Sequence, residues 1–190
     1  MKIKRKVLGV TGIRSDYEIM SSVFRAIVDH PDLALEVAVS GAHLADAYGA
    51  TVKDIRADGF IVADEIESLI NSDQLSARLK GLAIQLQGLT QTITRYRPDM
   101  LIVLGDREES ISTALAGAYM NIPTAHVSGG DRAVGNVDDQ VRHAVTKLAH
   151  LHFVTNQESY DRVIKLGEQP FRVYNTGNPG LDRLLKEPQL

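Results

Sequence analysis

Cysteine is absent from this chain of 190 residues. Disulfides, thiolate nucleophiles and cysteine-bound zinc are therefore excluded, and any chemistry must use Asp, Glu, His, Arg, Ser or Tyr. Histidine alone could still bind a metal, but His143, His150 and His152 do not form the H-E-x-x-H pattern. We therefore expect no zinc site.

The chain also lacks a strong charge of one sign and a long apolar run. Its 21 basic and 24 acidic residues give a net charge of -3, so it has none of the positive field that binding to nucleic acid requires. No apolar stretch reaches the roughly 18 residues of a membrane span, and the start does not resemble a secretion signal. We expect a cytoplasmic protein without nucleic-acid or membrane partners.

Short apolar runs alternate with stretches of helical periodicity. Val7–Thr11, Leu33–Val39, Met100–Leu104, Thr124–Val127, Leu151–Thr155 and the region of Arg172–Asn175 read as strands. Between them, helices are predicted over Asp16–Asp29, with a capping box of Ser15 and Glu18, and from Asp138 to about His150. A long amphipathic helix precedes Arg97, and its six apolar residues, Leu75, Leu79, Leu82, Leu86, Leu89 and Ile93, are expected to face the core.

This alternation predicts an α/β fold: one Rossmann-like, doubly wound parallel sheet with helices on both faces. With 44% hydrophobic residues, residues 1–190 are expected to form a single domain. In such sheets, ligands bind beyond the carboxyl ends of the strands.

Three polar loops follow predicted strands: Gly12–Asp16, Gly105–Glu108 and His126–Asp131. Gly12–Asp16 opens a helix, where free N–H groups and Arg14 suit a phosphate, although an ordinary capped turn explains the same residues. In Gly105–Glu108, Asp106 and Arg107 come directly after a buried strand. Asp106 is interpreted either as a catalytic acid or as a helix N-cap paired with the neighbouring arginine. Neither loop contains G-x-G-x-x-G or the P-loop pattern, which argues against an NAD-dependent oxidoreductase.

The start of the helix at Asp138 carries acids and cations at helical spacing. Asp138 and Arg142 are four residues apart, as are Asp139 and His143, and Asp139 lies three residues before Arg142. The acids are therefore expected to meet these cations and to stay ionised in the first helical turn. The pattern fits a site with available bases, and it fits equally well a helix start whose charged side chains only pair with one another.

Five segments, taken in order, resemble the hydrolysing UDP-N-acetylglucosamine 2-epimerases of sialic acid and related nonulosonate synthesis. They are Thr11–Tyr17, Val39–Leu44, Val103–Glu108, His126–Asp131 and Asp138–Leu148, and the similarity extends to Asn175–Asp182. The resemblance implies the N-terminal half of a two-domain enzyme of the glycosyltransferase-B arrangement. Its C-terminal domain is then absent from this chain, so the chain alone should be weakly active or inactive, and the intact enzyme is expected to be a homo-oligomer.

The reaction implied by the resemblance needs no redox cofactor, and we expect no cofactor. The C2 proton of the sugar is removed and UDP departs, giving a glycal. Water then adds at C1 and a proton returns to C2 from the opposite face, so that UDP-N-acetylglucosamine and water become N-acetylmannosamine and UDP.

The resemblance also assigns roles to residues. Asp106 and Asp138 correspond to catalytic carboxylates, Arg14 and Arg107 to nucleotide or diphosphate contacts, and Arg142 and His143 to groups near the sugar. Asp16, His43 and Asp139 lie in the same matching segments and are expected to bind substrate.

Ser128 departs from the family pattern, because it occupies the position where several relatives have a catalytic glutamate. A hydroxyl cannot accept a proton as a carboxylate does, so the proton path at this catalytic position must differ. A changed substrate, a UDP-linked 2,4-diacetamido-trideoxyhexose, explains the serine better than replacement of the carboxylate by Asp131. A non-catalytic nucleotide-binding module is the remaining alternative.

Overall fold

The computed structural model describes residues 3–135 and 137–186, so the last four residues of the predicted domain lie outside the described part. Its centre is a parallel sheet. Seven strands were found in the described residues: β1 (Arg5–Thr11), β2 (Leu33–Ser40), β3 (Val62–Ile66), β4 (Met100–Leu104), β5 (Thr124–Val127), β6 (Leu151–Val154) and β7 (Val173–Asn175). Their spatial order is β3-β2-β1-β4-β5-β6-β7.

The helices that connect these strands are α1 (Arg14–Asp29), α2 (Val52–Ala57), α3 (Leu75–Tyr96), α4 (Glu108–Met120), α5 (Asp138–Leu148) and α6 (Gln157–Lys165), and α7 (Gly180–Lys186) follows β7. Every strand pair is parallel. The predicted fold class is thus confirmed. β3, α2 and α7 were not predicted from the sequence, because each is short and its apolar residues form no extended periodic pattern.

Two apolar clusters cover the two faces of the sheet. On one face, Met20 and Phe24 of α1 pack against Val37 and Val39 of β2. On the other, α3, α4 and α5 pack over Leu8, Val10 and Val103. In β1, Val7 belongs to the first cluster and Leu8 to the second. Neighbouring residues of this strand therefore point to opposite faces, as the alternation of side chains along a strand requires. In the described part of the chain, no helix is both long and apolar enough to cross a membrane.

The apolar stripe on α3 is only half buried, which corrects the expectation that all six residues face the core. Leu89 and Ile93 are buried, but Leu75 is 90% and Leu79 69% exposed. The helix has 22 residues and is about 33 Å long at 1.5 Å per residue, whereas β4 has five residues and spans only about 17 Å. The first turns of α3 therefore extend past the carboxyl edge of the sheet.

The capping box expected at the start of α1 is also wrong. The helix begins at Arg14 with Ile13 as the N-cap, and no side chain caps it. Ser15 already lies inside the helix, and Glu18 pairs with Arg14 at 2.8 Å instead. Arg14 and Glu18 are four residues apart on the helix, so their ion pair uses the glutamate that the capping box would have needed.

Strand order reverses between β1 and β4. The connections from β1 run outward through β2 to β3, and after α3 the chain returns to β4 on the other side of β1. Such a switch point opens a crevice at the carboxyl edge, which is where ligands bind in doubly wound folds. The loops after β1 and β4 flank this crevice.

Candidate functional site

Loops from three adjacent strands meet at the carboxyl edge. β1 pairs with β4, and β4 pairs with β5, so the segments that follow them are neighbours in space. They are Gly12–Asp16, Gly105–Arg107 and Ser128–Asp131. Two of these loops lead into helix N-termini, of α1 and α4, whose free N–H groups favour negatively charged ligands.

Asp106 and Arg142 form an ion pair across this edge. A guanidinium nitrogen of Arg142 bonds to Asp106 Oδ2, and the two side chains are only 13% and 15% exposed. Arg142 also donates to the carbonyl of Ser128 at 3.0 Å and lies 3.7 Å from Asp131 Oδ2. Arg142 therefore reaches from α5 to the loops after both β4 and β5, contacts that the helical spacing did not predict.

Arg78 joins the second acid to the same edge. Its Nη2 lies 3.3 Å from Asp138 Oδ1, and its Nε bonds to Glu108 at the start of α4. The sequence reading did not identify Arg78, because the residue lies 60 positions before Asp138 in a helix that appeared to serve only the core. The overhang of α3 past the strands is what brings this arginine to the site.

Asp16 lies among the same charges. Burial raises the pKa of its carboxyl to about 6; the positive charge of Arg107 opposes the shift, and the negative charge of Asp106 adds to it. An aspartate that titrates close to neutrality can give and take a proton at physiological pH. The structure thus brings Asp16, Asp106, Arg107 and Arg142 together.

Arg14 is not brought into this group. Its side chain is 66% exposed and pairs with Glu18, and it lines a separate depression with Tyr17, Asp54 and Asp58. Its backbone stands at the edge of the sheet, but its guanidinium points away from Asp106. In this conformation Arg14 does not contribute to the cluster.

His43 is fully buried. Its Nδ1 lies 2.7 Å from Thr51 Oγ1 and its Nε2 3.0 Å from Thr11 Oγ1. Burial lowers its pKa to about 4, so the ring is neutral at pH 7. Both ring nitrogens are engaged, and His43 therefore connects Thr11, at the end of β1, to Thr51.

Asp139 and His143 form the pair that their spacing predicts. His143 Nε2 lies 3.6 Å from Asp139 Oδ2. Asp139 also accepts a hydrogen bond from the backbone N–H of Ala133 at 3.1 Å, and this bond lowers its pKa. The carboxylate thus tethers the preceding loop to α5.

Ser128 has a backbone φ of 61°, which a residue with a side chain rarely adopts. Beside it, His126 is buried between the carbonyl of Gly105 at 2.7 Å and Thr146 Oγ1 at 3.2 Å, and burial lowers its pKa to about 3. Gly129 and Gly130 follow Ser128, and a Cβ added to Gly130 would lie 2.4 Å from a backbone oxygen of α6. The turn after β5 is therefore tightly constrained.

Asp131 binds its own neighbours firmly. Its Oδ1 accepts hydrogen bonds from the hydroxyls of Thr155 and Ser159, both at 2.6 Å. Its other oxygen faces Arg142. This carboxylate therefore shares with Asp106 the guanidinium of Arg142.

Glu109 is a further residue that the sequence reading did not single out. It is the second residue of α4, and its carboxyl is packed against Gly12: a Cβ there would lie 1.8 Å from Glu109 Oε1. Burial raises the pKa of this carboxyl. A hydrogen bond from its own backbone N–H and the positive charge of Arg107 oppose the rise. The close approach of Gly12 to this glutamate cannot be read from the sequence.

The cluster combines carboxyl groups with arginines at helix N-termini. Carboxyl groups can transfer protons, and guanidinium groups stabilise developing negative charge on a departing phosphate. The set fits an elimination in which a proton leaves carbon and an anion departs.

Comparison with known proteins gives the family. The sequence profile of the UDP-N-acetylglucosamine 2-epimerases matches residues 25–190. The chain is 38% identical over 182 residues to a UDP-N,N'-diacetylbacillosamine 2-epimerase (hydrolyzing) of Legionella pneumophila, covering 96% of this chain and 48% of that protein. It is 33% identical to a GDP/UDP-N,N'-diacetylbacillosamine 2-epimerase (hydrolyzing) of Campylobacter jejuni, covering 92% of this chain and 45% of the relative.

A solved structure agrees in fold. The UDP-GlcNAc 2-epimerase of Neisseria meningitidis, bound to UDP-GlcNAc, superimposes with a TM-score of 0.81 at 22% identity, over 95% of this chain and 48% of that one. The chain thus spans about half the length of the relatives that it matches. By sequence and by fold, it belongs to the UDP-N-acetylglucosamine 2-epimerase family.

Proposed function

We propose that this chain is the N-terminal half of a hydrolysing UDP-sugar 2-epimerase and contributes acids and arginines for breaking the bond between the sugar and UDP. The proposal rests chiefly on one observation: Asp106 and Asp138, each held by an arginine, lie at the carboxyl edge beside the switch point. The names of the relatives from Legionella and Campylobacter support a UDP-sugar as substrate.

In this reaction a carboxylate removes the proton from C2 while the bond between C1 and the UDP oxygen breaks. Asp106 and Asp138 are the carboxylates that the family pattern assigns to proton transfer. Arg107 stabilises the charge on the departing diphosphate, and Arg142, near the sugar, holds the carboxylate of Asp106. Water then adds at C1 and a proton returns to C2 on the other face, so that the free 2-epimeric sugar and UDP are released.

Asp16 is an additional proton carrier in this scheme. Its pKa near 6 leaves it partly protonated at neutral pH, and it shares the electrostatic environment of Asp106 and Arg107. Ser128 stands where several relatives have a glutamate, and its carbonyl is occupied by Arg142. A carboxyl in the first turn of α1 offers one way to replace that missing glutamate.

The isolated chain is proposed to bind substrate but to turn over weakly or not at all. The relatives are about twice its length, and in the family a second domain closes the other side of the cleft. A cleft open on one side leaves the reacting sugar exposed to water, which weakens every electrostatic contribution to catalysis.

Calorimetric titration of the chain with UDP, UDP-N-acetylglucosamine and NAD tests the proposal. We expect heats of binding for the two uridine nucleotides and none for NAD. Binding of NAD without any binding of a uridine nucleotide would refute the epimerase assignment and favour a dinucleotide-dependent oxidoreductase.

A further inference from the structure

The peptide group between Gly105 and Asp106 stands where β4 passes into the proposed site. Gly105 has a φ of 78°, a conformation that favours glycine, and a Cβ added there would meet nothing within 4 Å among the described residues other than its chain neighbours. The backbone conformation, not a lack of space, therefore requires glycine. Because a peptide bond is planar, the carbonyl of Gly105 and the N–H of Asp106 lie in one plane. A contact that fixes this carbonyl also fixes the direction in which Asp106 leaves the strand.

Two consecutive residues of β5 hold both peptide groups of Gly105. The N–H of Gly105 donates a hydrogen bond to the carbonyl of Val127 at 3.0 Å. Its carbonyl accepts a hydrogen bond from the ring of His126, whose Nε2 lies 2.7 Å away. The first bond fixes the peptide group before Gly105, and the second fixes the one after it. The turn that carries Asp106 is therefore determined by β5.

The partners of His126 also determine the tautomer of its ring. A carbonyl oxygen only accepts hydrogen bonds, so Nε2 carries a proton. Burial lowers the pKa of His126 to about 3, and the hydrogen bond to Gly105 opposes this shift, so the ring is neutral at pH 7 and its Nδ1 is an acceptor. The hydroxyl of Thr146 lies 3.2 Å from this Nδ1 and is the matching donor. Thr146 therefore stabilises the tautomer that the contact with Gly105 requires.

The ring of His126 is closed off from any ligand. His126 and Thr146 are both fully buried, and a Cβ on Gly129 would lie 3.0 Å from Nδ1 of His126 and 3.2 Å from Thr146 Oγ1. A side chain at position 129 would therefore press on both groups. A neutral, buried ring neither touches a substrate nor exchanges a proton with it, so any influence of His126 on a reaction has to pass through Gly105.

The carboxylate of Asp106 is held from the same side of the molecule. It pairs with Arg142, and the backbone carbonyl of Arg142 lies 3.0 Å from the hydroxyl of Thr146 one turn later in α5. His126 thus fixes the peptide of Asp106, and Arg142 fixes its side chain. Displacement of a reacting group by about 1 Å can lower a rate by about 10²-fold, so the direction of this peptide matters for turnover.

We propose that His126 is a positioning residue for Asp106, which acts through the carbonyl of Gly105 and is kept in the required tautomer by Thr146. Substrate binding should depend on it much less. The backbone N–H of Arg107, which contacts the diphosphate in the proposed reaction, lies 3.3 Å from the hydroxyl of Ser110 in α4 and so has an anchor of its own. The inference rests on the proposed function, because it takes Asp106 as a group that transfers a proton.

Turnover of the chain joined to the second domain of the family tests the inference through release of UDP. The substrates are UDP-N-acetylglucosamine and a UDP-linked 2,4-diacetamido-trideoxyhexose. In His126→Leu, which removes the donor, kcat should fall by about 10²-fold while KM stays within about threefold of wild type. His126→Gln restores an N–H close to the position of Nε2 and should return kcat to within about tenfold of wild type. An increase in KM without a loss of kcat in the leucine variant, or a glutamine variant as slow as the leucine variant, would overturn the inference.

His30→Leu is the matched control, because His30 is exposed and follows α1 at the opposite edge of the sheet; it should leave kcat and KM unchanged. If His126→Leu does not give a folded spectrum, Thr146→Val takes its place. That variant removes only the donor to Nδ1, so kcat should fall by at least about threefold at an unchanged KM, and an unchanged kcat would contradict the inference.

NMR of the 190-residue chain without substrate separates this inference from the proposed function. The amide resonance of Asp106 should move in His126→Leu and stay close to its wild-type position in His126→Gln. If the wild-type enzyme releases UDP from neither sugar, the proposed function fails, and the amide of Asp106 still shows whether His126 positions it. An Asp106 resonance that is the same in the wild type and in the leucine variant would refute the positioning role.

Discussion

The ion pair between Asp106 and Arg142 should contribute measurably to stability, and replacing Arg142 should cost more than replacing Asp106. Among the residues that the structure describes, Arg142 has three partners: Asp106, the carbonyl of Ser128 at 3.0 Å and Asp131 at 3.7 Å. In Asp106→Asn the guanidinium keeps the other two, so we expect a loss of about 1–2 kcal/mol. In Arg142→Met two carboxylates lose their shared cation, and the cost should rise to about 3 kcal/mol.

Urea unfolding at pH 7, followed by circular dichroism, measures both variants and the double variant. The double variant should cost about as much as Arg142→Met alone, which gives a coupling energy of about 1–2 kcal/mol. The exposed pair of Arg56 and Glu65 is the control, and its coupling should stay below about 1 kcal/mol because both side chains are at least 40% exposed. Equal costs for the two single variants, or additivity within about 0.5 kcal/mol, would refute this reasoning.

Three further perturbations follow from the same site. Gly130→Ala should destabilise the fold by about 2 kcal/mol or more, since φ is 79° and the new Cβ would meet a backbone oxygen; urea unfolding within 0.5 kcal/mol of wild type would contradict this. In ¹³C NMR the Asp16 carboxyl should titrate near pH 6, and Arg107→Gln should move its midpoint upward; a downward shift would be inconsistent with the charge arrangement. The buried neutral His126 has a pKa of about 3, below its unfolded value, so its contribution is full above about pH 6.5 and is lost as pH falls towards 3. His126→Gln should therefore reduce the slope of stability against pH in that window by up to about 1.4 kcal/mol per pH unit, and an unchanged slope would count against it.

A turnover prediction belongs with the proposed reaction. When the chain is joined to the second domain of the family, Asp106→Asn should lower turnover by about 10²-fold or more, because a base contributes mainly to the transition state. Its effect on UDP binding, measured by calorimetry, should be much smaller. Unchanged turnover would show that Asp106 does not transfer the proton.

Two central strands could be predicted from sequence, β4 from its continuous apolar run and β5, with the sequence TAHV, from the turn residues on either side of it. Met100–Leu104 and Thr124–Val127 were predicted with their observed bounds. The edge strand Val62–Ile66 could not, since an acidic pair, Asp64 and Glu65, interrupts its pattern. A strand at an edge is packed on fewer sides, so burial leaves a weaker mark on its sequence.

The candidate site was partly predictable for a related reason. The topology alone places the loops after β1, β4 and β5 side by side, so Asp106 and Asp16 could be expected near each other. Arg78 and Glu109 could not be found, because their positions depend on the overhang of α3 and on the close approach to Gly12. Arg14 lies at the expected edge, but a partner one helical turn away turns its side chain elsewhere.

A crystal structure of the chain with a UDP-sugar tests the central claim most directly. The account predicts that the sugar lies at the carboxyl edge, with a ring carbon next to the Asp106 carboxyl and with Arg142 within reach. A sugar bound instead in the apolar groove between α1 and β6, which Val23, Ile102 and Phe153 line, would contradict it.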